Sequence, residues 1–142
     1  EVTIKKSANT ITYEPKKEAL LLAAKQKIDA VSRNSTEDNL ISGYINQKLA
    51  QEEISLIPES FIYDFNSFVV VTIPGELVSE LGKRIREATN KKVIILAYSN
   101  DFLGYAVNKE QFGHYFESFL SEYPLGGADQ FVADIISTIK GV

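Results

Sequence analysis

The stretch from Phe68 to Tyr105 reads FVVVTIPGELVSELGKRIREATNKKVIILAYSNDFLGY. It contains an apolar run at Phe68–Ile73, an amphipathic segment at Glu76–Thr89 and a second apolar run at Val93–Tyr98. In the middle segment, apolar residues recur at helical spacing with charged residues between them. Such a helix is long enough to connect two parallel strands, and crossovers of this kind are nearly always right-handed. The stretch therefore predicts a strand–helix–strand unit with parallel strands, and its two apolar runs are typical of buried strands.

The loops that follow the two strands are expected to meet, because parallel strands end at the same edge of a sheet and ligands tend to bind there. The first loop, Pro74–Glu76, is predicted to be a tight strand-to-helix turn in which Gly75 permits backbone angles that other residues avoid. Glu76 is then expected at the helix start, where a carboxylate complements the helix dipole. The second loop, Ser99–Tyr105, is rich in aromatic and polar groups. Spacing alone does not separate two ordinary turns from a binding site.

The remaining segments complete an α/β domain. Short strands are predicted at Glu1–Lys6, Thr10–Tyr13 and Phe61–Tyr63, and helices from Pro15 to Val31, from Ser35 or Thr36 to about Glu53, at Glu110–Leu120 and at Ala128–Lys140. The predicted fold is a mixed β-sheet flanked by helices that contains the strand–helix–strand crossover. Residues 1–142 are interpreted as a single domain or a fragment of a larger one. The chain begins with Glu1 and has no methionine, so a processed or excised start is expected.

Composition excludes several classes of function. The net charge is −4, with 15 basic and 19 acidic residues, so nucleic-acid binding has no electrostatic support. No stretch approaches the roughly 18 apolar residues of a membrane span. The absence of cysteine excludes disulfides and thiolate metal sites. The chain has a single histidine, His114, so a self-contained zinc site or Ser-His-Asp triad is not expected.

Several short motifs carry a resemblance to a known family. They are Val71–Glu76, Gly82–Glu87, Tyr98–Asn100 and Gly104–Tyr105, followed by aromatic residues at Phe112 and Phe116 and the acidic residue Glu117. Their order and spacing over residues 68–120 resemble the late catalytic-domain region of neutral (non-lysosomal) ceramidases. The resemblance implies the C-terminal part of a zinc-dependent amidohydrolase that cleaves the N-acyl amide bond of ceramide-like lipids. Members of this family are often secreted or found at the cell surface.

The resemblance also implies roles for two residues. In that family, zinc is bound by two histidines from earlier in the chain, by a glutamate in the Pro-Gly-Glu turn and by a tyrosine five residues after the loop asparagine. These last two positions correspond to Glu76 and Tyr105. A carboxylate is a good zinc ligand, whereas a phenol, with a pKa of about 10, needs the metal to stabilise its phenolate. The metal would generate hydroxide and polarise the amide carbonyl.

The sequence departs from the family pattern at two kinds of position. The two histidine ligands have no counterpart, and His114 matches neither of them. The zinc site is therefore expected to be completed by an upstream segment that supplies histidines, and the chain alone is expected to be inactive. Phe116 stands where the family has a tyrosine, but a shift of one residue brings Tyr115 to that place, so Tyr115 is the candidate substrate-binding residue.

Two alternatives remain open from the sequence. The first keeps the fold but changes the substrate, giving a hydrolase that acts on another amide or an ester. The second is a non-catalytic binding or interaction module. A copurifying segment rich in histidines would favour the enzyme, and a native chain that starts at Glu1 without such a partner would favour the module.

Overall fold

A computed structural model describes residues 1–30 and 36–141. The strands are β1 Thr3–Ala8, β2 Ile11–Tyr13, β3 Ile54–Leu56, β4 Glu59–Asp64, β5 Phe68–Thr72, β6 Glu76–Leu77, β7 Lys92–Leu96 and β8 Tyr105–Ala106. The α-helices are α1 Ala19–Ala30, α2 Thr36–Leu49, α3 Ser79–Arg86 and α4 Gly127–Lys140, and 3₁₀ helices lie at Pro15–Lys17 and Phe116–Leu120. The predicted α/β class is confirmed.

The main sheet has four strands in the order β1-β4-β5-β7. β4 is antiparallel to β1 and β5, whereas β7 runs parallel to β5 with Val70 opposite Ile94. The sheet is therefore mixed, and its parallel pair is connected through α3. This confirms the predicted strand–helix–strand unit. The two further sheets have two strands each, β2 with β3 and β6 with β8.

The core lies between one face of the main sheet and the helices α3 and α4. Val71 on β5, Leu81 and Ile85 on α3, and Phe131 and Ile135 on α4 are all fully buried in this cluster. The α4 residues lie four positions apart, which places both on one face of that helix. Local apolar spacing was sufficient to predict α4, whose observed bounds differ from the prediction by one residue.

The opposite face of the sheet is open. Val70 and Ile94 lie in register on this face, and Ile4 lies across the sheet from them on β1. Ile94 is 39% exposed, Leu96 47% and Ile4 60%. The prediction that Val93–Tyr98 is a buried strand was wrong, because β7 is the end strand of the sheet and one of its two apolar faces is uncovered.

Other segments also differ from the prediction. The predicted helix Glu110–Leu120 was wrong over its first half, where Gly113 adopts a left-handed conformation with φ of +85° that interrupts helical geometry. Only its end forms a 3₁₀ helix. The second predicted helix ends at Leu49 rather than at Glu53, and β3 follows it. The helix start predicted at Ser35 lies outside the described residues, and α2 begins at Thr36.

An ion pair holds the turn between β4 and β5. The Asp64 side chain accepts a 2.9 Å hydrogen bond from the Asn66 backbone N–H, and Lys91 Nζ lies 2.8 and 2.6 Å from its two carboxylate oxygens. Asp64 is only 6% exposed. The pKa of Asp64 lies below its usual value of 3.8, mainly because the carboxylate accepts a hydrogen bond from Lys91. The pair links this turn to the segment that enters β7.

We expect Asp64→Asn to lower the free energy of unfolding by about 2 kcal/mol at neutral pH, because the nearly buried Asp64 loses the negative charge that pairs with the partly exposed Lys91 and that strengthens its hydrogen bonds. The ionised Asp64 stabilises the native state above the unfolded pKa of 3.8, and this stabilisation is lost as pH falls through the lower native value. The difference between wild type and variant should therefore shrink below about pH 4. Urea unfolding across this range measures it, with the exposed Glu52→Gln as control. A difference that does not vary with pH would contradict the prediction.

Candidate functional site

Glu76 and Tyr105 are direct neighbours on two short parallel strands. β6 pairs with β8 so that Glu76 is opposite Tyr105 and Leu77 is opposite Ala106. The Glu76 N–H donates to the Gly104 carbonyl at 3.0 Å, and the Val78 N–H donates to the Ala106 carbonyl at 3.1 Å. Residues in register on paired strands place their side chains on the same face. The structure therefore brings together the two residues that the resemblance selects as metal ligands.

The position of Glu76 corrects the prediction from sequence. It lies on β6, whereas α3 begins at Ser79 with Val78 as its N-cap residue. The interpretation of Glu76 as a helix-start residue that complements the dipole was wrong. Its backbone is extended because Gly104 and Ala106 supply carbonyl acceptors from a distant part of the chain. No local pattern in the sequence reveals those acceptors.

Two glycines allow the close approach of the segments around this pair. Gly75 has φ of +141° and Gly104 has φ of +68°. A Cβ atom on Gly75 would lie 2.3 Å from the Gly104 carbonyl oxygen, and one on Gly104 would lie 2.3 Å from the Leu120 carbonyl oxygen. Gly104 also forms an antiparallel bridge with Ser121. The spacing of β6, β8 and the segment after the second 3₁₀ helix thus depends on both residues being glycine.

One cavity of about 370 Å³ contains the candidate site. Its lining residues are Glu76, Leu77, Val78, Ser79, Tyr105, Val107, Gln111, Tyr115 and Glu117. The three residues singled out from the sequence, Glu76, Tyr105 and Tyr115, are all among them. Glu117 adds a second carboxylate to the cavity, and the sequence predicted no role for it. Lysine and arginine do not occur among these lining residues, so the cavity suits a cation or a hydrogen-bond donor.

A second tyrosine contacts Glu76 directly. The Tyr98 hydroxyl donates a hydrogen bond to Glu76 Oε2, and its ring stacks on Phe102 with centroids 5.8 Å apart and planes 9° from parallel. The hydrogen bond to Glu76 is the main cause that raises the pKa of Tyr98 above its usual value. Sequence reasoning missed this contact. The position of Tyr98 after a predicted strand was visible, but nothing in the pattern separates it from an exposed aromatic residue.

The loop that carries Tyr98 has an unusual backbone. Tyr98 and Asn100 have φ values of +54° and +75°. The left-handed conformation costs a tyrosine roughly 1–2 kcal/mol, whereas asparagine tolerates it better. The Tyr98 N–H donates to the Gly75 carbonyl at 2.9 Å, and the Asn100 side-chain amide donates to Thr72 Oγ1 at 3.1 Å. These bonds tie the loop to the end of β5 and to the turn before Glu76, so they offset the cost of the strained conformation.

A salt bridge braces one wall of the cavity. Asp129 at the start of α4 accepts from Arg84 of α3 at 2.7 Å and, through its other oxygen, from the Lys109 backbone N–H at 2.8 Å. Lys109 lies between the lining residues Val107 and Gln111. The position of this wall is therefore coupled to the packing of both helices.

Buried polar groups anchor the segment behind β8. Tyr13 donates to the Glu122 carbonyl at 2.9 Å, Tyr44 donates to the Glu122 carboxylate, and Lys48 donates to the Ser121 carbonyl. Burial is the main cause that raises the pKa values of Tyr13 and Tyr44 and lowers that of Lys48. Because Ser121 bridges Gly104, these contacts from the first half of the chain help to position the strand that carries Tyr105.

Tyr123 offers a test of this buried region. The residue is 2% exposed, and its hydroxyl has no hydrogen-bond partner among the described residues. We expect Tyr123→Phe to raise the free energy of unfolding by about 1 kcal/mol, because a buried unsatisfied hydroxyl is removed. The matched change Tyr13→Phe removes a satisfied hydroxyl and should lower it by about 1 kcal/mol. Urea unfolding of both variants is the measurement, and a loss of stability in Tyr123→Phe would contradict the prediction.

His114 is not among the residues that line the Glu76 cavity. It is exposed and lines a different cavity of about 350 Å³, together with Phe116. Tyr115 lines both cavities, which places it, rather than Phe116, beside Glu76 and Tyr105. Within residues 1–30 and 36–141, no group of three or more His, Cys, Asp or Glu residues is arranged to hold a metal ion. A metal bound at Glu76 and Tyr105 would thus have two oxygen ligands from this part of the chain.

The helices in the described part of the chain lack the length and apolar character that a transmembrane span requires. Neither a family model nor a curated protein matches this chain.

Proposed function

We propose that this chain is the C-terminal part of a zinc-dependent amidohydrolase resembling neutral ceramidase, which hydrolyses the N-acyl amide bond of ceramide-like lipids. The observation that carries the proposal is the pairing of Glu76 with Tyr105 in register on adjacent strands, inside one cavity. The two residues come from separate motifs of the resemblance, and two ligands of one metal ion have to lie close together in this way.

The side chains fit half of a zinc site. Zinc in catalytic sites is bound by protein side chains together with a water molecule, and a carboxylate oxygen is a common donor. Glu76 and Tyr105 supply two oxygen donors, and histidines from an upstream segment supply the others. When bound, the zinc provides an activated water molecule and polarises the carbonyl of the scissile amide.

The remaining lining residues of the cavity act on the substrate. Tyr115 is exposed at the cavity and carries a hydroxyl that can hydrogen-bond a polar group of the lipid. Leu77, Val78 and Val107 supply apolar walls next to the two ligands. Apolar walls with a few polar groups are typical of small-molecule sites, and they suit a lipid amide.

The open sheet face supports the part of the proposal that concerns an upstream segment. Aliphatic side chains on the face of a sheet are usually covered by another layer of polypeptide. Ile94 and Leu96 are exposed on this face. β7 leads directly into the loop of Tyr98, which contacts Glu76. A segment packed on this face would therefore lie beside the strand that leads into the loop contacting Glu76.

The same open face favours the second candidate, a non-catalytic interaction module. In that case the face binds a partner polypeptide, and the cavity has no metal-dependent role. The two candidates differ in zinc content and in hydrolytic activity, so they can be separated directly.

The experiment is to isolate the protein from its native source and to measure its intact mass, associated polypeptides, zinc content and hydrolysis of a fluorescent N-acyl sphingosine. The proposal expects about one zinc per chain and a linked or associated histidine-containing segment. It also expects hydrolysis that releases the fatty acid, and this activity should disappear when a chelator removes the zinc. A protein without zinc and without amidase activity would contradict it and favour the interaction module.

A further inference from the structure

Tyr98 is connected to Glu76 and its preceding residue by one side-chain and one backbone hydrogen bond. Its hydroxyl donates to Glu76 Oε2, and its backbone N–H donates to the carbonyl of Gly75, the residue that precedes Glu76, at 2.9 Å. Its ring is held by stacking on Phe102. Main chain and side chain of Tyr98 thus both contact the turn that carries the Glu76 carboxylate.

We propose that Tyr98 is a positioning residue for Glu76: its hydroxyl occupies Oε2 and leaves Oε1 to face the cavity that Tyr105 shares. The hydrogen bonds of the described residues to the Glu76 side chain involve only Oε2. In protein metal sites, ligating carboxylates are commonly hydrogen-bonded in this way by a residue of the outer shell, which orients them and tunes their affinity.

The strained backbone of Tyr98 supports this role. With φ of +54°, its side chain leaves the loop in a direction that a residue in extended conformation would not have. Strain of this kind persists where the surroundings impose it, and it is frequent at functional sites. A glutamate side chain also loses rotamer freedom on binding a ligand. The bond from Tyr98 removes part of that freedom in advance, so cation binding requires less ordering.

This inference rests on the proposed function for the identity of the cation, and two measurements separate them. The first needs no metal. Ultraviolet resonance Raman difference spectra, wild type minus Tyr98→Phe, report the hydrogen bonding of the Tyr98 phenol. We expect the spectrum of a phenol that donates to a carboxylate, and in a Glu76→Ala background the spectrum of a phenol that contacts water. Identical difference spectra in the two backgrounds would overturn the contact.

The second measurement is zinc affinity, determined by chelator competition on the protein produced in its native source. Tyr98→Phe keeps the ring and its stacking, and it should weaken zinc binding by about 10- to 100-fold. The control Tyr123→Phe also removes a phenol hydroxyl, one that has no hydrogen-bond partner among the described residues, and should change affinity by less than about two-fold. Unchanged affinity in Tyr98→Phe, with zinc bound in the wild type, would overturn the positioning role and leave the proposed function intact. If the wild type binds no zinc, the proposed function fails, and the Raman comparison still decides whether Tyr98 holds Glu76.

Discussion

Zinc affinity is expected to fall about 100-fold when Glu76 is replaced by glutamine in the protein isolated from its native source. Structural zinc sites bind with about 10–16 kcal/mol, so each of four ligands contributes roughly 3 kcal/mol, which corresponds to about 100-fold. Glutamine has nearly the same shape as glutamate, so β6 and its pairing with Tyr105 should persist. The change removes the negative charge that makes the oxygen a good ligand.

Tyr105→Phe provides the companion variant. We expect a smaller loss of zinc affinity, about 10-fold, because a phenol is a poorer ligand than a carboxylate. Part of the energy of the zinc–phenolate bond is needed to remove the phenol proton. Glu117→Gln serves as the matched control, since it changes a second carboxylate of the same cavity to which no ligand role is assigned. Unchanged zinc affinity in both Glu76→Gln and Tyr105→Phe would reject the ligand assignment, and a larger loss in Glu117→Gln would transfer it to that residue.

Among the stability variants proposed for this protein, Gly104→Ala should have the largest effect and lower the free energy of unfolding by about 3 kcal/mol. A methyl group at this position would lie 2.3 Å from the Leu120 carbonyl oxygen, which belongs to the backbone. The left-handed conformation adds roughly 1–2 kcal/mol for a residue with a Cβ, and overpacking of this kind typically adds about 1–3 kcal/mol. Because Gly104 accepts the hydrogen bond from Glu76, the distortion should also reach the candidate site.

The matched control for this prediction is Gly126→Ala. Gly126 has a similar φ of +77°, but a Cβ there would meet nothing within 4 Å. This variant therefore has only the conformational cost, about 1 kcal/mol. Urea unfolding of the two variants separates the steric contribution from the conformational one. Equal losses in the two variants would show that the close approach at Gly104 is unimportant.

Much of the fold could be predicted from local patterns. The runs at Phe68–Ile73 and Val93–Tyr98, with an amphipathic segment between them, correctly indicated a parallel pair connected by a helix. The predictions were wrong where a local pattern is ambiguous. A run of apolar residues does not distinguish a central strand from an edge strand, so the sequence did not predict the exposure of Ile94 and Leu96. A single left-handed residue, Gly113, was enough to interrupt the helix predicted around it.

The candidate site was predicted in part. The resemblance selected Glu76, Tyr105 and Tyr115, and all three line one cavity. Their roles as zinc ligands and as a substrate contact stay predictions. The contact from Tyr98 was missed because it depends on loop conformation rather than on spacing along a strand or helix. Glu117 belongs to the motifs of the resemblance but was given no role, and only the structure places it in the same cavity as Glu76.

The sequence by itself determined the elements that follow from the periodicity of neighbouring side chains, and its single histidine and lack of cysteine led to the expectation that any zinc site needs ligands from elsewhere. Only the tertiary structure decided that Glu76 lies on a strand beside Tyr105, and that Tyr98 is the phenol that contacts its carboxylate. The physical reason is that the pairing of Glu76 with Tyr105 depends on Gly104. Its carbonyl accepts from Glu76, and its lack of a side chain lets distant segments approach. A hydrogen bond between segments far apart in the chain leaves no trace in the local pattern of either one.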